Sequence, residues 1–278
     1  MRLSISNIAW DPSEDEAIAT SLRRLGINAI DIAPSKYFLD QAAVSSQQIS
    51  AVRATWSQRG FDIVGMQSLL FGLPCLNIFG PAEHRSALLQ HLTHTCRIAA
   101  GLGAQRLVFG SPKNRDSSGL EPSHAAALAL HFFTSLGDIA LNEGVTICLE
   151  ANPPSYGCNF ITTTDDAIAI IKEINHPAIK LQLDTGTVLI NGEDHMQLLS
   201  TLSKHPRLLG HIHISEPKLI PLGDAQSTLS MLVDRLYKAL PKTLVTIEML
   251  ATTEEPHSLS IERSIRWVQS RIAQREAI

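Results

Sequence analysis

The chain lacks the features that mark secreted, membrane and nucleic-acid-binding proteins. It has only four cysteines in 278 residues and no CxxC pair, which argues against a disulfide framework or a zinc knuckle. No run of lysine or arginine occurs and the formal net charge is −4, so we expect no bulk attraction to nucleic acid or to an anionic membrane. No window reaches the roughly 18 consecutive apolar residues of a membrane span.

The N-terminal residues also lack the pattern of a signal peptide. Residues 1–7 contain a single basic residue, and Asp11 arrives before any sustained apolar stretch. With 44% hydrophobic and 18% charged residues, the composition is that of a globular protein. We therefore predict a cytoplasmic location.

Short apolar runs rich in β-branched residues alternate with longer amphipathic segments along the whole chain. This alternation is typical of repeated βα units, and eight of each can be counted. No linker interrupts it, which predicts a single domain over residues 1–278. The predicted strands are Leu3–Ala9, Ala29–Ala33, Ile63–Leu70, Arg106–Phe109, Thr146–Glu150, Ile179–Leu183, Leu209–Ile214 and Leu244–Glu248.

The helical segments carry start and stop signals. Residues 11–16 and 162–166 each combine a capping side chain with carboxylates, which suit the positive end of a helix. Four helices are predicted to close at a glycine just before the next strand. These glycines are Gly26, Gly60, Gly103 and Gly144.

Eight units favour a closed (β/α)₈ TIM barrel, a fold that commonly has about 250 residues in one domain. The alternative is an open doubly wound sheet, which usually has five or six strands and often a glycine-rich phosphate loop after the first strand. No GxGxxG motif follows Leu3–Ala9. The predicted fold class is therefore α/β, as a single (β/α)₈ barrel.

Four strands in the second half of the chain end in residues that can bind a divalent cation. They are Glu150, Asp184, His213 and Glu248, spaced by 34, 29 and 35 residues. Each spacing is about one βα unit, so four neighbouring strands would present these side chains at the C-terminal end of the barrel. Barrel enzymes have their active sites at that end.

A carboxylate at the end of an apolar strand must be solvated, paired or bound to metal. Any one of these residues alone would be explained by a salt bridge or a helix cap. Three carboxylates and one imidazole converging would repel one another without a cation, so the set predicts one divalent metal ion. Mixed oxygen and nitrogen ligands leave Mn²⁺, Mg²⁺, Co²⁺ and Zn²⁺ open.

The seventh predicted strand contains two histidines, His211 and His213. Residues two apart on a strand point to the same face, so both could look inward. His213 is nearer the C-terminal rim and is the predicted ligand. His211 is assigned to a second layer or to the packed core.

This ligand pattern resembles the xylose-isomerase-like barrel superfamily. The resemblance rests on Glu150, Asp184, the His-Ile-His of strand seven and the Ile-Glu-Met around Glu248. That superfamily includes tagatose and psicose 3-epimerases, hydroxypyruvate isomerase, sugar-phosphate epimerases, inosose dehydratase and endonuclease-four-type AP endonucleases. The resemblance spans essentially the whole chain and implies that Glu150 and Glu248 bind metal and also act as the acid/base pair.

Three positions depart from the epimerase pattern. Thr187 stands where the family usually has a histidine, and Tyr156 stands where epimerases often have another carboxylate. Lys218 occurs slightly before the position of their substrate-binding arginine. These differences point to another sugar than that of the free-ketose 3-epimerases and leave the metal ligands intact.

The AP-endonuclease alternative needs further histidines for three metals. Strand three ends in Met66-Gln67-Ser68, strand four in Phe109-Gly110-Ser111, and a late loop reads Asp224-Ala225-Gln226. None supplies the extra ligands, and the acidic balance is wrong for DNA. We therefore predict that nucleic acid is not a partner.

Polar residues near the other strand ends could contact substrate. Lys113 and Arg115 follow a Gly-Ser turn and suit a phosphate or carboxylate, although an ordinary solvated loop has the same pattern. Asn7 and Trp10 could bind and stack on a sugar, or simply pack. The predicted substrate-binding residues are Asn7, Trp10, Gln67, Ser111, Lys113, Arg115, Asn152, Thr187, Glu216 and Lys218.

The sequence thus predicts a metal-dependent isomerase or epimerase of a small sugar or sugar phosphate, acting by proton transfer beside a carbonyl. An inosose-type dehydratase and a non-catalytic sugar-binding barrel stay open as alternatives. The apolar segment 69–74 would cover the pocket or face another subunit, so a homo-oligomer is also left open.

Overall fold

The computed structural model describes residues 1–224 and 228–276 and has a closed barrel of eight parallel strands. Each strand pairs with the next along the chain, and the first closes on the last. This confirms the predicted (β/α)₈ barrel, and the open-sheet alternative is wrong. The strands are β1 Arg2–Ser6, β2 Ala29–Ile32, β3 Asp62–Met66, β4 Arg106–Phe109, β5 Thr146–Glu150, β6 Ile179–Asp184, β7 Leu209–Ile214 and β8 Leu244–Ile247.

The part of the chain that the structure describes forms nine α-helices, one more than the eight predicted. The extra helix directly follows β6, because the Asp184 side chain accepts a hydrogen bond from the Thr187 N–H and caps a new helix there. The helices are α1 Asp15–Arg24, α2 Ser46–Gln58, α3 Ala82–Leu102, α4 Pro122–Asn142, α5 Thr164–Ile174, α6 Thr185–Asn191, α7 His195–Lys204, α8 Leu229–Ala239 and α9 His257–Glu276.

The local capping signals are confirmed. Asp11 and Glu14 form a capping box around the one-turn 3₁₀ helix that precedes α1. Thr163 and Asp166 form another at the start of α5. Gly103, at the end of α3, has a φ of 86°, a left-handed conformation that favours glycine.

Two strands, β1 and β3, end more than one residue earlier than predicted. β1 ends at Ser6, because its hydroxyl accepts a hydrogen bond from the Ile8 N–H and the chain turns there into a short 3₁₀ helix. β3 ends at Met66, and Ser68 then adopts a left-handed φ of 54° that cannot continue a strand. The apolar pattern continued past both ends, whereas the extended backbone did not.

The strands pack their outward faces on the helices, as where Phe109 of β4 meets Phe133 of α4 edge to face. The barrel interior differs from the usual filling of Val, Ile and Leu. Its middle layer is polar and fully buried. The side chains of this layer include Ser4, Asp31, Gln182, His211 and Thr246.

Within the described residues, α4 is the one helix that is long and apolar enough to cross a membrane by length and composition. It packs Phe132, Phe133 and Leu136 into the protein core. The core helix of a soluble protein meets the same criterion. Of the late loop considered above, Ala225 and Gln226 lie outside the described residues.

Candidate metal centre

Four side chains converge at the C-terminal end of the barrel. Glu150 ends β5, Asp184 ends β6, His213 lies in β7 and Glu248 follows β8. One ligand atom from each lies within 4.8 Å of the ligand atoms of the other three. The Nδ1 atom of His213 is 3.0 Å from Glu248 Oε2 and 3.9 Å from Glu150 Oε1. The four residues therefore converge as the strand spacing predicted, and their role as metal ligands stays a prediction.

Asp184 is held by donors on both carboxylate oxygens. The backbone N–H of Thr187 donates to Oδ1 at 2.7 Å, and the hydroxyl of Ser215 donates to Oδ2 at 2.6 Å. The Thr187 hydroxyl donates to the Ala151 carbonyl and is buried. The backbone and side chain of Thr187 are therefore both bonded within the protein, and its predicted contact with substrate stays a prediction. Sequence reasoning missed Ser215, which no spacing singles out.

The two glutamates border a cavity of about 250 Å³. The Gln67 side-chain amide donates to Glu248 Oε1 at 2.8 Å, and the Asn152 amide donates to Glu150 Oε2 at 3.3 Å. Gly110 lies so close that a Cβ there would be 2.1 Å from Glu150 Oε2. Both predicted residues, Gln67 and Asn152, therefore lie at the site as neighbours of the glutamates.

A second buried group lies directly beneath the first. Asp31 Oδ2 is 2.7 Å from His211 Nε2 and 3.4 Å from His213 Nε2. Asp31, His211 and His213 also have ligand atoms within 4.8 Å of one another. Sequence reasoning missed Asp31, although a lone carboxylate within the apolar β2 was an available signal. His211 lies in this lower layer, in agreement with its assignment.

Burial and neighbouring charges shift the titration of the site. Burial, followed by the charges of Glu248 and Asp184, raises the pKa of Glu150 to about 8. Burial and Glu248 likewise raise the pKa of Asp184. Burial alone would lower the pKa of His213, but Glu248 and Asp31 raise it well above its ordinary value. Without a cation, the site therefore retains protons that a metal ion would displace.

These shifts predict the pH dependence of stability of the metal-free protein. Between about pH 7 and pH 8.5 the folded protein binds protons at Glu150 and His213 that the unfolded chain, with ordinary pKa values, has released. His211, whose pKa burial lowers, is neutral in both states there. The free energy of unfolding should therefore fall as pH rises through this window.

Thermal unfolding with and without a chelator measures this effect. The melting temperature of the metal-free protein should be lower at about pH 8.5 than at pH 7, and the stabilisation by added Mn²⁺ or Zn²⁺ should grow over the same range because ligation releases protons. A metal-free melting temperature that rises with pH would contradict the assignment.

Two predicted sugar contacts lie in the core. Trp10 is 1% exposed, donates its indole N–H to Asp15 at 2.8 Å and packs against Trp56. Asn7 is buried, and its side-chain oxygen accepts from the Ala33 N–H. Both predictions are corrected because the turn after β1 directs these side chains into the protein rather than towards the cavity.

The prediction that Lys113 and Arg115 together bind an anionic group at the C-terminal end of the barrel is also corrected. Arg115 is 0% exposed and donates from Nη1 to the backbone carbonyl of Glu150 at 2.7 Å, whereas Lys113 is exposed. The two residues do not form one anion-binding surface. Ser111 does line the cavity, and its hydroxyl donates to Asn114.

The remaining predicted residues lie on the loop after β7. Glu216 is buried, and Lys218 is exposed with a φ of 64°. The backbone N–H of Lys218 donates to the Tyr156 hydroxyl at 2.6 Å. Burial, with the charges of Asp184 and Glu248, raises the pKa of Tyr156. Tyr156 therefore joins two loops beside the carboxylates.

The apolar segment after β3 forms one wall of the cavity. Leu69 and Leu70 are buried, whereas Phe71 is 76% exposed. The prediction that this segment covers the pocket agrees with its position. Whether it also contacts another subunit stays a prediction.

A family model described as the xylose isomerase-like TIM barrel matches residues 20–271. An inosose dehydratase of Geobacillus thermodenitrificans is 27% identical over 84 residues. That match covers 30% of this chain and only 26% of the length of the dehydratase.

Solved structures resemble the chain over nearly its full length. An L-ribulose 3-epimerase has a TM-score of 0.81 and 18% identity, covering 99% of this chain and 96% of that one. The 3-keto-D-glucoside 4-epimerase of E. coli has a TM-score of 0.79 and 18% identity, and the match covers 97% of this chain and 99% of the epimerase. At such identities the likeness shows the fold alone.

Proposed function

The chain belongs to the xylose isomerase-like TIM barrel family, and on that premise we propose that it is a metal-dependent isomerase or epimerase of a small sugar. One observation carries the proposal: the four ligand groups Glu150, Asp184, His213 and Glu248 meet within 4.8 Å beside a cavity. The epimerases of similar fold support the reaction class by analogy.

The residues present fit a single divalent cation. Three carboxylates and one imidazole are suitable donors for Mn²⁺, Mg²⁺, Co²⁺ or Zn²⁺. Burial and neighbouring carboxylates raise the pKa of Glu150 and of Asp184, and this direction supports a cation at the site. A bound cation would supply Lewis-acid stabilisation of negative charge developing on substrate oxygens.

The chain itself would supply the proton transfers. Glu150 and Glu248 border the cavity, with 14% and 13% of their side chains exposed. One carboxylate removes the proton from the carbon beside the carbonyl, and the other, or the same one, returns it. Return to the opposite face yields an epimer, and return to the neighbouring carbon yields an isomer.

Neighbouring residues would orient these carboxylates and limit water. The amides of Gln67 and Asn152 each hold one carboxylate oxygen, which leaves the other oxygen for metal or proton transfer. The apolar wall of Leu69 and Leu70 excludes water from one side. A cavity of about 250 Å³ is small for a ligand pocket, which suits a monosaccharide-sized substrate.

A dehydratase is the second candidate, favoured by the 84-residue match to inosose dehydratase. Dehydration of an inositol-type ketone begins with the same proton removal beside a carbonyl and then expels water. The same two carboxylates could act in it. The products therefore distinguish the two candidates.

Incubation of the metal-loaded protein with sugars, sugar phosphates and inositol ketones in D₂O tests the proposal. We expect solvent deuterium to appear in recovered substrate or product at a carbon beside the carbonyl, as read by NMR. A product lacking the elements of water would favour the dehydratase. Turnover without deuterium would favour a hydride shift or shielded internal proton return and contradict the proposed exchange.

A further inference from the structure

We propose that Asp31 is a positioning residue for the metal centre, because it holds Nε2 of His213 and thereby turns Nδ1 towards the other ligands. The inference rests on the metal centre of the proposed function. It concerns a residue of β2, which is separated from β7 by β8 and β1 in the closed barrel, and assigns a role to the buried polar layer beneath the ligands.

The two ring nitrogens of His213 face different groups. Nδ1 faces the glutamates, at 3.0 Å from Glu248 and 3.9 Å from Glu150. Nε2 faces Asp31 Oδ2 at 3.4 Å. A neutral imidazole carries its proton on one nitrogen and a lone pair on the other, so an acceptor at Nε2 leaves the Nδ1 lone pair for a cation.

Asp31 is itself held from several strands. His211 Nε2 contacts the same carboxylate oxygen at 2.7 Å, and the Thr246 hydroxyl lies 3.2 Å from that nitrogen. On β3, a Cβ at Gly65 would lie 2.6 Å from Asp31 Oδ1, so only glycine leaves room for the carboxylate. These contacts leave Asp31 little freedom to rotate away from His213.

The burial of Asp31 indicates that its charge is compensated locally. The side chains of Asp31, His211 and His213 are 0% exposed. Within the described part of the chain, Asp31 forms its ion pairs with these two histidines. A buried carboxylate needs donors, and here the donors are the imidazole of a metal ligand and the imidazole below it.

A second cation between Asp31, His211 and His213 is the competing interpretation. Two ligand atoms about 2.1 Å from one ion lie roughly 3 Å or more apart in tetrahedral or octahedral geometry. Asp31 Oδ2 and His211 Nε2 are closer than that, at 2.7 Å, which suits a direct hydrogen bond. The geometry therefore favours an orienting role over a second ion.

Cobalt titration of the purified full chain tests the inference, with Co²⁺ affinity and the visible absorption spectrum as readouts. Asp31→Ala should weaken Co²⁺ binding about 10- to 100-fold, the usual effect of losing such an orienting partner, and should change the spectrum. Asp31→Asn should bind more tightly than Asp31→Ala, because its amide oxygen can still accept from Nε2. The matched control Asp62→Asn, exposed and paired with Arg2, should match wild type.

Nitrogen NMR of wild-type protein with ¹⁵N-labelled histidine and bound Zn²⁺ uses no Asp31 variant. It therefore tests the inference even if Asp31→Ala does not fold. The His213 proton should be on Nε2, and Zn²⁺ should perturb Nδ1. Three results would overturn this inference but not the proposed function. They are unchanged Co²⁺ affinity and spectrum in both Asp31 variants, Zn²⁺ bound to Nε2 of His213, and two ions per chain of which Asp31→Ala loses one. Absence of any metal binding in wild type would overturn the proposed function as well.

Discussion

Replacing either Glu150 or Glu248 by glutamine is expected to lower turnover by a factor of about 10² or more, the usual contribution of general acid/base catalysis. Glutamine keeps the size of the side chain and an oxygen ligand but cannot take up the substrate proton. Steady-state kinetics at saturating metal measures kcat, and metal analysis of the same samples measures occupancy. We expect kcat to fall even where the cation is retained.

The control for this pair is Glu121→Gln, an exposed residue just before α4 whose side chain does not cap that helix. It should retain wild-type kcat. Full activity in either Glu150→Gln or Glu248→Gln would remove that residue from the mechanism. Loss of metal in one variant but not in the other would assign that glutamate chiefly to ligation.

Loss of Asp184 is expected to abolish metal binding. Wild-type protein loaded with Mn²⁺ or Zn²⁺ and then freed of excess ion should hold one ion per chain, whereas Asp184→Ala should hold close to none. Both oxygens of this carboxylate are fixed by the Thr187 N–H and the Ser215 hydroxyl, which holds Asp184 beside the other three candidate ligands. Elemental analysis gives the stoichiometry.

Asp165→Ala is the matched control, since Asp165 is an exposed carboxylate in the first turn of α5. It should bind metal like wild type. Stoichiometry near zero in wild type after loading, or unchanged binding in Asp184→Ala, would remove the proposed site. The paired result distinguishes a specific centre from weak binding to surface carboxylates.

Sequence reasoning reached the positions of the ligand set because local patterns and chain order are enough for it. Glu150, Asp184 and Glu248 each follow an apolar strand, and the spacing of one βα unit makes their strands neighbours. Parallel neighbours bring their C-terminal ends to one face of a barrel. The position of a side chain at a strand end is therefore encoded locally.

The direction of a side chain beyond a strand end is not encoded in the same way. Trp10 and Arg115 were assigned to the mouth because they follow strands, yet each turns into the protein and finds a buried partner. Short 3₁₀ turns after β1 and β4 set these directions. Hydrophobic periodicity carries no information about the rotation of such turns.

The sequence by itself determined the alternation of strands and helices, the closed barrel it implies and the four residues at the strand ends. Only the tertiary structure decided that Asp31 lies under His213, since these residues are 182 positions apart on strands that are not hydrogen-bonded neighbours. Contacts along the sheet follow from chain order. Contacts across the barrel depend on its closure and on the space that Gly65 leaves, which are properties of packing in three dimensions.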